Sequence, residues 1–262
     1  MKIVVAVKQV PDTETKIAIA PDGRSVDESN ITWIVNPYDE YAVEEALRIR
    51  EARGQGEVIV ATVGPARAAT ALRTCLAMGA DRGVHLNDPA FEGSDSLGIA
   101  RILAAAIRPL APDLVLTGQY AVGTDSRQVG MMLAELLGFA HVSVVTQLTV
   151  EEGRLKARRE IEGARELVES PLPCVVTAQK GLNEPRYASL KGIMAAKKKP
   201  VEEMNAAALG LDPSTVGARG ARVTVTKLEL PPGKLAGKIF KDDMEAAARE
   251  VVRLLHEEAK VI

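Results

Sequence analysis

Several short runs of this chain are apolar at nearly every position: Ile3 to Val7, Val58 to Val63, Leu114 to Leu116 and Cys174 to Ala178, with Gly83 to Leu86 a weaker member. A strand that faces water on one side alternates apolar and polar residues. An unbroken Val/Ile/Leu run must be covered on both sides. Between these runs lie helical patterns. Pro37 to Arg53 carries Tyr41, Val43, Ala46, Leu47 and Arg50 at helical spacing and stops at Gly54. Ala66 to Met78 stops at Gly79, Ser94 to Leu110 repeats the pattern, and Arg127 to Leu137 closes at Gly138. Each glycine stands where a left-handed residue ends a helix. Strand and helix in this rhythm mean parallel crossover units. The fold class expected is α/β: a Rossmann-like layered, mainly parallel sheet with helices on both faces.

The rhythm breaks at three places. Residues 143 to 169 alternate, with Val145, Gln147 and Thr149 set against Leu148 and Val150. A Glu151-Glu-Gly153 turn and a second run, Leu155 to Ile161, follow, which reads as an antiparallel hairpin at the sheet edge. A smaller hairpin is expected from Lys16 to Ala20 around Pro21-Asp-Gly23 and on to Val26. After Pro200 the periodicity fades: residues 201 to 222 are punctuated by Gly210, Pro213, Gly217 and Gly220. A strand, Val223 to Leu230, and a last helix, Asp242 to Ala259, are expected beyond. The helix carries Met244, Ala247, Val251, Leu254 and Leu255 on one stripe. The chain thus divides into residues 1 to 200, an α/β nucleotide-binding domain, and residues 201 to 262, an arm. A tail without its own core must lie on something to hold shape. The alternative is a final strand and helix that complete the same domain.

Composition narrows the function classes. With 262 residues and 47% of them hydrophobic, the chain can bury a sizeable core, and at 3% aromatic content that core is aliphatic. The net charge of −2 and pI near 6.0 lack the basic footprint of a nucleic-acid binder. Cys75 and Cys174 lie in apolar runs and read as buried free thiols, as expected of a cytoplasmic, reducing setting. The run Lys2 to Lys8 is too short for a signal peptide, and no apolar stretch reaches the roughly 20 residues that span a bilayer.

The chemistry of catalysis is thin. There is no G-x-G-x-x-G after the first strand, no phosphate-binding G-x-x-x-x-G-K-[ST] and no H-E-x-x-H. His85, His141 and His256 are scattered, so neither a metal set nor a catalytic triad is expected. The nucleotide candidate is Leu116-Thr-Gly-Gln-Tyr-Ala-Val-Gly-Thr-Asp-Ser-Arg-Gln-Val-Gly130. It follows a buried strand and opens a helix, which puts it at the carboxyl edge of the sheet, where open α/β folds bind ligands. Gly118 and Gly123 permit close backbone approach, and the next turn has free N–H groups for a phosphate. Alternatively, Asp125 or Ser126 merely caps the helix. Two further strand ends, Val5-Ala6-Val7-Lys8 and Val63-Gly64-Pro65, should border the same crevice. Asn36 is expected as N-cap of the first long helix, with Pro37 at its first position.

Asn183 to Lys199 reads as a turn, an apolar side chain on a loop, a very short helix and a cationic stop. Pro185 pushes Glu184 toward an extended conformation. Ser189 is a candidate N-cap for a turn or two through Met194. Lys197 to Lys199 supply positive charge at the helix end, and Pro200 stops it. Leu190 then sits on a small mobile knob suited to enter a hollow on another protein. In the alternative, Leu190 and Ile193 turn inward and the lysines form a solvated face.

Asn183-Glu-Pro-Arg-Tyr-Ala-Ser-Leu190, Ile193-Met194 and the lysine run resemble the recognition loop of the electron-transfer flavoprotein β subunit. The resemblance covers most of the chain, through Val5-Ala-Val-Lys8, Asn36-Pro37, Ala77-Met-Gly-Ala-Asp81 and Arg159-Glu-Ile-Glu-Gly163, in the same order. It implies a heterodimeric electron carrier without catalytic side chains of its own. FAD is then held mainly by an α subunit, which the C-terminal arm wraps. Electrons come from flavin dehydrogenases such as acyl-CoA dehydrogenase and leave to a quinone oxidoreductase. Tyr187, Leu190, Ile193 and Met194 are implied to dock the dehydrogenase. Arg159 and Glu160 are implied to face the α subunit. The positions implied to hold AMP are Ala6, Asn36, Pro37, Tyr38, Asp39, Val63, Gly118, Gln119, Tyr120, Ala121, Val122, Gly123, Thr124, Asp125, Ser126, Arg127, Gln128 and Val129. The chain departs from the family at Gly123, where many members carry an acidic residue. Asp125-Ser-Arg-Gln128-Val-Gly130 also resembles members that hold a second FAD and bifurcate electron pairs. The C-terminal Leu254-Leu-His-Glu-Glu-Ala-Lys260 is closer to single-flavin members. On the residues alone, a stand-alone adenine-nucleotide-binding α/β protein is the competing reading.

Overall fold

A computed structural model describes residues 1–233, 236–241 and 243–262. The chain runs β1 (Lys2–Ala6), β2 (Gln9–Pro11), β3 (Trp33–Val35), α1 (Pro37–Arg53), β4 (Glu57–Val63), α2 (Ala69–Met78), β5 (Arg82–Leu86), α3 (Ser96–Ile107) and β6 (Leu114–Gly118). It continues with α4 (Val129–Leu137), β7 (Ala140–Val150), β8 (Arg154–Ile161), β9 (Ala164–Pro171), β10 (Cys174–Ala178), α5 (Leu190–Ala196), β11 (Val201–Met204), α6 (Gly217–Gly220) and α7 (Met244–Leu254).

Nine strands form one sheet in the order β11-β5-β4-β1-β6-β10-β7-β8-β9. From β11 through β7 every neighbouring pair is parallel. The two-sided apolar runs have the predicted consequence. Ile3, Val5 and Val7 point into one core with α1, α2 and Ala196 of α5. Val4 and Ala6 point into a second core with α3, α4 and Phe91. Each fully buried aliphatic side chain contributes about 1.5–3 kcal/mol, so a strand filling two cores is held from both faces. Strand order reverses at β1: one run of crossovers builds β4 and β5 on one side, and the next places β6 on the other. The carboxyl ends of β1 and β6 therefore diverge into a crevice.

The antiparallel segment is larger than expected. β7, β8 and β9 form a three-stranded meander, and β9 makes a full ladder with β8 from Arg154↔Pro171 to Ile161↔Ala164. Ala164-Arg-Glu-Leu-Val-Glu-Ser-Pro171 is almost wholly exposed, so it carries no alternation to reveal it. The small hairpin contracts to one bridge, Ile19↔Val26, while β2 and β3 pair in a separate small sheet.

Beyond Pro200, the expected arm begins inside the α/β layer. β11 pairs with β5 from Val201↔Gly83 to Met204↔Leu86. Ala206 and Val216 are buried in the second core. The expected strand Val223–Leu230 is absent: those residues have no ladder, and Val223 and Leu230 are exposed. From residue 221 onward no described side chain is buried. The last helix is N-capped by Asp243, whose carboxylate accepts the Ala246 N–H; the expected start, Asp242, lies outside the described residues. Its stripe of Met244, Val251 and Leu255 is exposed.

Candidate functional site: a nucleotide crevice and a projecting loop

The crevice is built from the ends of β1 and β6 and the start of α1. Ala6 pairs with Thr117 of β6 on one side and Ala61 of β4 on the other, and Val63 ends β4 alongside. Asp39, in the first turn of α1, is buried. Its carboxylate accepts the Lys8 N–H at 2.6 Å and the Gly118 N–H at 2.9 Å, tying both strand ends to the helix. Burial pushes its pKa up to about 7, against hydrogen bonds from Lys8, Asn36 and Gly118 and the Lys8 charge, all of which favour the carboxylate. Gly118 tolerates no side chain, since a Cβ there would stand 2.3 Å from the Asp39 carboxylate and 2.7 Å from Tyr38 Cβ.

Asn36 precedes α1, with Pro37 at the first position as expected, but its side chain does not cap the helix. It is fully buried, and its amide donates to the Tyr120 carbonyl while its oxygen accepts the Val122 N–H. Asn36 thus fixes the 119–128 loop from below. Tyr38 and Tyr120 stack with centroids 4.0 Å apart and join hydroxyls. Gln119 is buried too: its side-chain oxygen accepts the Val144 N–H and the Thr177 hydroxyl. Val144 and Thr177 were not foreseen, because strand positions so far apart in sequence carry no common motif. Val144 has φ +62°, a costly conformation for a β-branched residue, at a bulge where β7 meets this loop.

The upper half of the loop is open. Gly123, Thr124, Asp125, Ser126, Arg127 and Gln128 are exposed, while Ala121, Val122 and Val129 are half-buried. Gly123, Asp125 and Arg127 all take positive φ, 92°, 41° and 55°. Asp125 pairs with Arg127 at 2.9 Å and caps nothing; neither does Ser126. α4 starts at Val129 without a side-chain cap, leaving its first-turn N–H groups free. Lys8 Nζ reaches Thr124 Oγ1 at 3.4 Å, and the Arg127 guanidinium lies 5.0 Å from the Tyr120 ring centroid. Free N–H groups, two cations and an open Gly123 backbone suit a phosphate, and the stacked tyrosines and the strand ends supply an apolar wall. These residues fit a phosphate-bearing group with an apolar or aromatic body.

The second feature is the loop after β10. Asn183 donates to the Tyr41 carbonyl and to Glu45, and Arg186 makes a forked pair with Glu44 and Glu51 of α1. Glu44 and Glu45 are buried, on a helix face that also carries Arg48 and Glu51. Burial raises the Glu45 pKa, against the hydrogen bond from Asn183, whereas the Arg186 hydrogen bond holds Glu51 below its ordinary range. Exposed pairs such as Arg154–Glu169 contribute about 0–1 kcal/mol; Arg186–Glu44, with one partner buried, is the costly one to break. Ser189 caps α5 as expected, accepting the Gly192 N–H. Tyr187 is 98% exposed, Leu190 84%, Met194 66% and Ile193 45%. Leu190 and Ile193 therefore do not turn inward.

Arg159 and Glu160 lie on β8. Arg159 donates to the Ser143 carbonyl and hydroxyl and pairs with Glu166, while Glu160 is exposed. His85 is buried with Nε2 on the Gly64 carbonyl. Cys75 and Cys174 are buried free thiols. Among the described residues no cluster of His, Cys, Asp and Glu could hold a metal ion, and no helix is long and apolar enough to cross a membrane.

Comparison with known proteins converges on one family. The model of the electron transfer flavoprotein domain matches residues 24–209. The chain is 41% identical to the electron transfer flavoprotein subunit beta of Bradyrhizobium diazoefficiens and 41% identical to that of Bacillus subtilis, in each case over the whole of both chains. It is 39% identical to the Homo sapiens subunit beta, over 97% of this chain and 99% of that one.

Proposed function

This chain belongs to the electron transfer flavoprotein family, among its β subunits, and on that premise we propose that it is the docking and nucleotide-holding half of a cytoplasmic heterodimer with an α subunit. The redox chemistry would be supplied by FAD held mainly by the α subunit. Flavin dehydrogenases such as acyl-CoA dehydrogenase would deliver electrons, and a quinone oxidoreductase would take them.

The observation that carries this reading is Leu190, 84% exposed at the head of a seven-residue helix, with Tyr187 and Met194 beside it. A compact domain with an extensive core has no folding reason to project three large apolar side chains from one short loop. They supply a contact that excludes water while the flavin domain is left free to reorient. Arg159 and Glu160 on β8 would face that domain. Leu190→Ala should slow dehydrogenase-dependent flavin reduction at least about tenfold, as expected for a buried anchor, with FAD content unchanged. Equal loss of both would make Leu190 a folding residue and sink the reading.

In the crevice, AMP is the proposed occupant. The free N–H groups at the start of α4, with Lys8 and Arg127, would hold its phosphate. Tyr38, Tyr120 and the β1 and β4 ends would enclose the nucleoside. A second reading, FAD at the same place, draws on Asp125-Ser-Arg-Gln128-Val-Gly130. Heating the purified heterodimer and weighing the released nucleotides separates the two. One FAD and one AMP are expected; two FAD would make it a bifurcating carrier.

A further inference from the structure

α5 is too short to hold its own direction: a seven-residue helix in water is unstable without outside contacts. Its apolar side chains mostly point outward, and only Ala196 enters the core. Its support comes from α2. Gly192 lies so close to the end of α2 that a Cβ there would stand 2.3 Å from the Ala77 carbonyl oxygen. Around that contact the two helices exchange cations. Lys199, just past α5, extends Nζ to the Leu76 carbonyl at 2.9 Å and the Ala80 carbonyl at 2.6 Å, at the C-terminus of α2. Arg73, on α2, sends one guanidinium nitrogen to the Ala196 carbonyl at 2.7 Å and the Lys199 carbonyl at 3.0 Å, at the C-terminus of α5. Each helix thus has its negative end satisfied by a positive side chain from the other.

We propose that Arg73 and Lys199 are positioning residues that clamp α5 onto α2 and so fix the direction in which Leu190 is presented. Lys199 then differs in kind from Lys197 and Lys198, which are exposed. The knob is a braced fitting rather than a mobile one, and a partner need not order it on binding. The functional part of this proposal rests on Leu190 being the docking anchor; the clamp itself does not.

The test uses the purified heterodimer carrying Arg73→Met, Lys199→Met or Lys199→Arg. Hydrogen–deuterium exchange over residues 190–199 should quicken about five- to tenfold in both methionine variants and stay near wild type in Lys199→Arg, which can still donate to both carbonyls. FAD content and the exchange of the sheet strands should not change. With reduced acyl-CoA dehydrogenase as electron donor, the dehydrogenase concentration at half-maximal rate should rise about fivefold at unaltered maximal rate. Adding Lys199→Met to Leu190→Ala should cost nothing more, because the two act through one contact. Unchanged exchange in the methionine variants overturns the clamp. Quickened exchange with wild-type kinetics, in a protein that Leu190→Ala cripples, overturns its role in presentation. If Leu190→Ala itself has no kinetic effect, the docking reading fails while the exchange data still decide the clamp.

Discussion

Asp39 shows how one residue does more than its position in a motif suggests. Its carboxylate collects a backbone N–H from each of the two strand ends that frame the crevice, and Gly118 has lost its side chain to make room. Such a group is costly to keep ionised and costly to replace. In Asp39→Asn the amide oxygen can accept from one side only, which leaves the other N–H facing a donor, at a cost of about 1–3 kcal/mol. The sign of the pH effect follows from the raised pKa. The folded state holds the Asp39 proton more tightly than the unfolded state does. The associated stability is therefore full below 3.8 and is lost as pH climbs through about 7. The asparagine variant should start less stable than wild type and recover part of the gap across that window, with no further change above it. Calorimetric midpoints against pH check this, and a gap independent of pH would mean that Asp39 titrates normally.

At the scale of elements, legibility depended on whether a segment carried its own punctuation. α1 was readable to the residue, because Pro37 opens it and Gly54, at φ +67°, closes it. The central strands were readable because both faces are apolar. β9 and β11 were not: one covers only Val168 and Ser170, the other shows only Val201 and Met204 as apolar residues, and each is a strand because a neighbour offers it a ladder. The converse holds at Val223–Leu230, where propensity is strong but the Leu228 N–H bond to the Gly23 carbonyl does not extend into a ladder, and no strand forms. The crevice was legible as a place, from strand ends and a glycine-containing loop. The division of labour within it was not. Asn36, expected to cap α1, braces the Tyr120–Val122 turn instead, and nothing local in the sequence distinguishes the two uses. The Arg73–Lys199 exchange was likewise invisible, since it joins residues far apart in sequence through backbone carbonyls whose identity no side chain records.

The molecule as a whole is finished at its front and open at its back. The first core closes with Ala196 and the second with Val216, and nothing described beyond residue 220 is buried. Past residue 220 the Arg222 N–H donates to Asp95 and the Leu228 N–H to the Gly23 carbonyl, in neither case burying a side chain of the tail. A chain truncated after Arg222 should therefore keep its thermal midpoint within about 3 °C of the intact β chain, a change of less than roughly 1 kcal/mol at this size. It should at the same time fail to co-purify with the α subunit. Truncation that collapses the domain would show that the tail is part of the fold rather than a clasp on the partner. The far edge of the sheet is guarded in a different way: β9 carries Arg165, Glu166 and Glu169, charges that discourage a stray strand from adding there.

The exposed stripe on α7 has a consequence for supply. On the proposed function, a cell that makes this polypeptide in excess of its mate would accumulate copies with a greasy, unsheltered tail, the kind of surface that proteases and holdases read as damage. If an α subunit covers that stripe, as proposed, the feature that seals the pair would also mark the surplus for clearance, and the ratio of two gene products would be policed by shape alone.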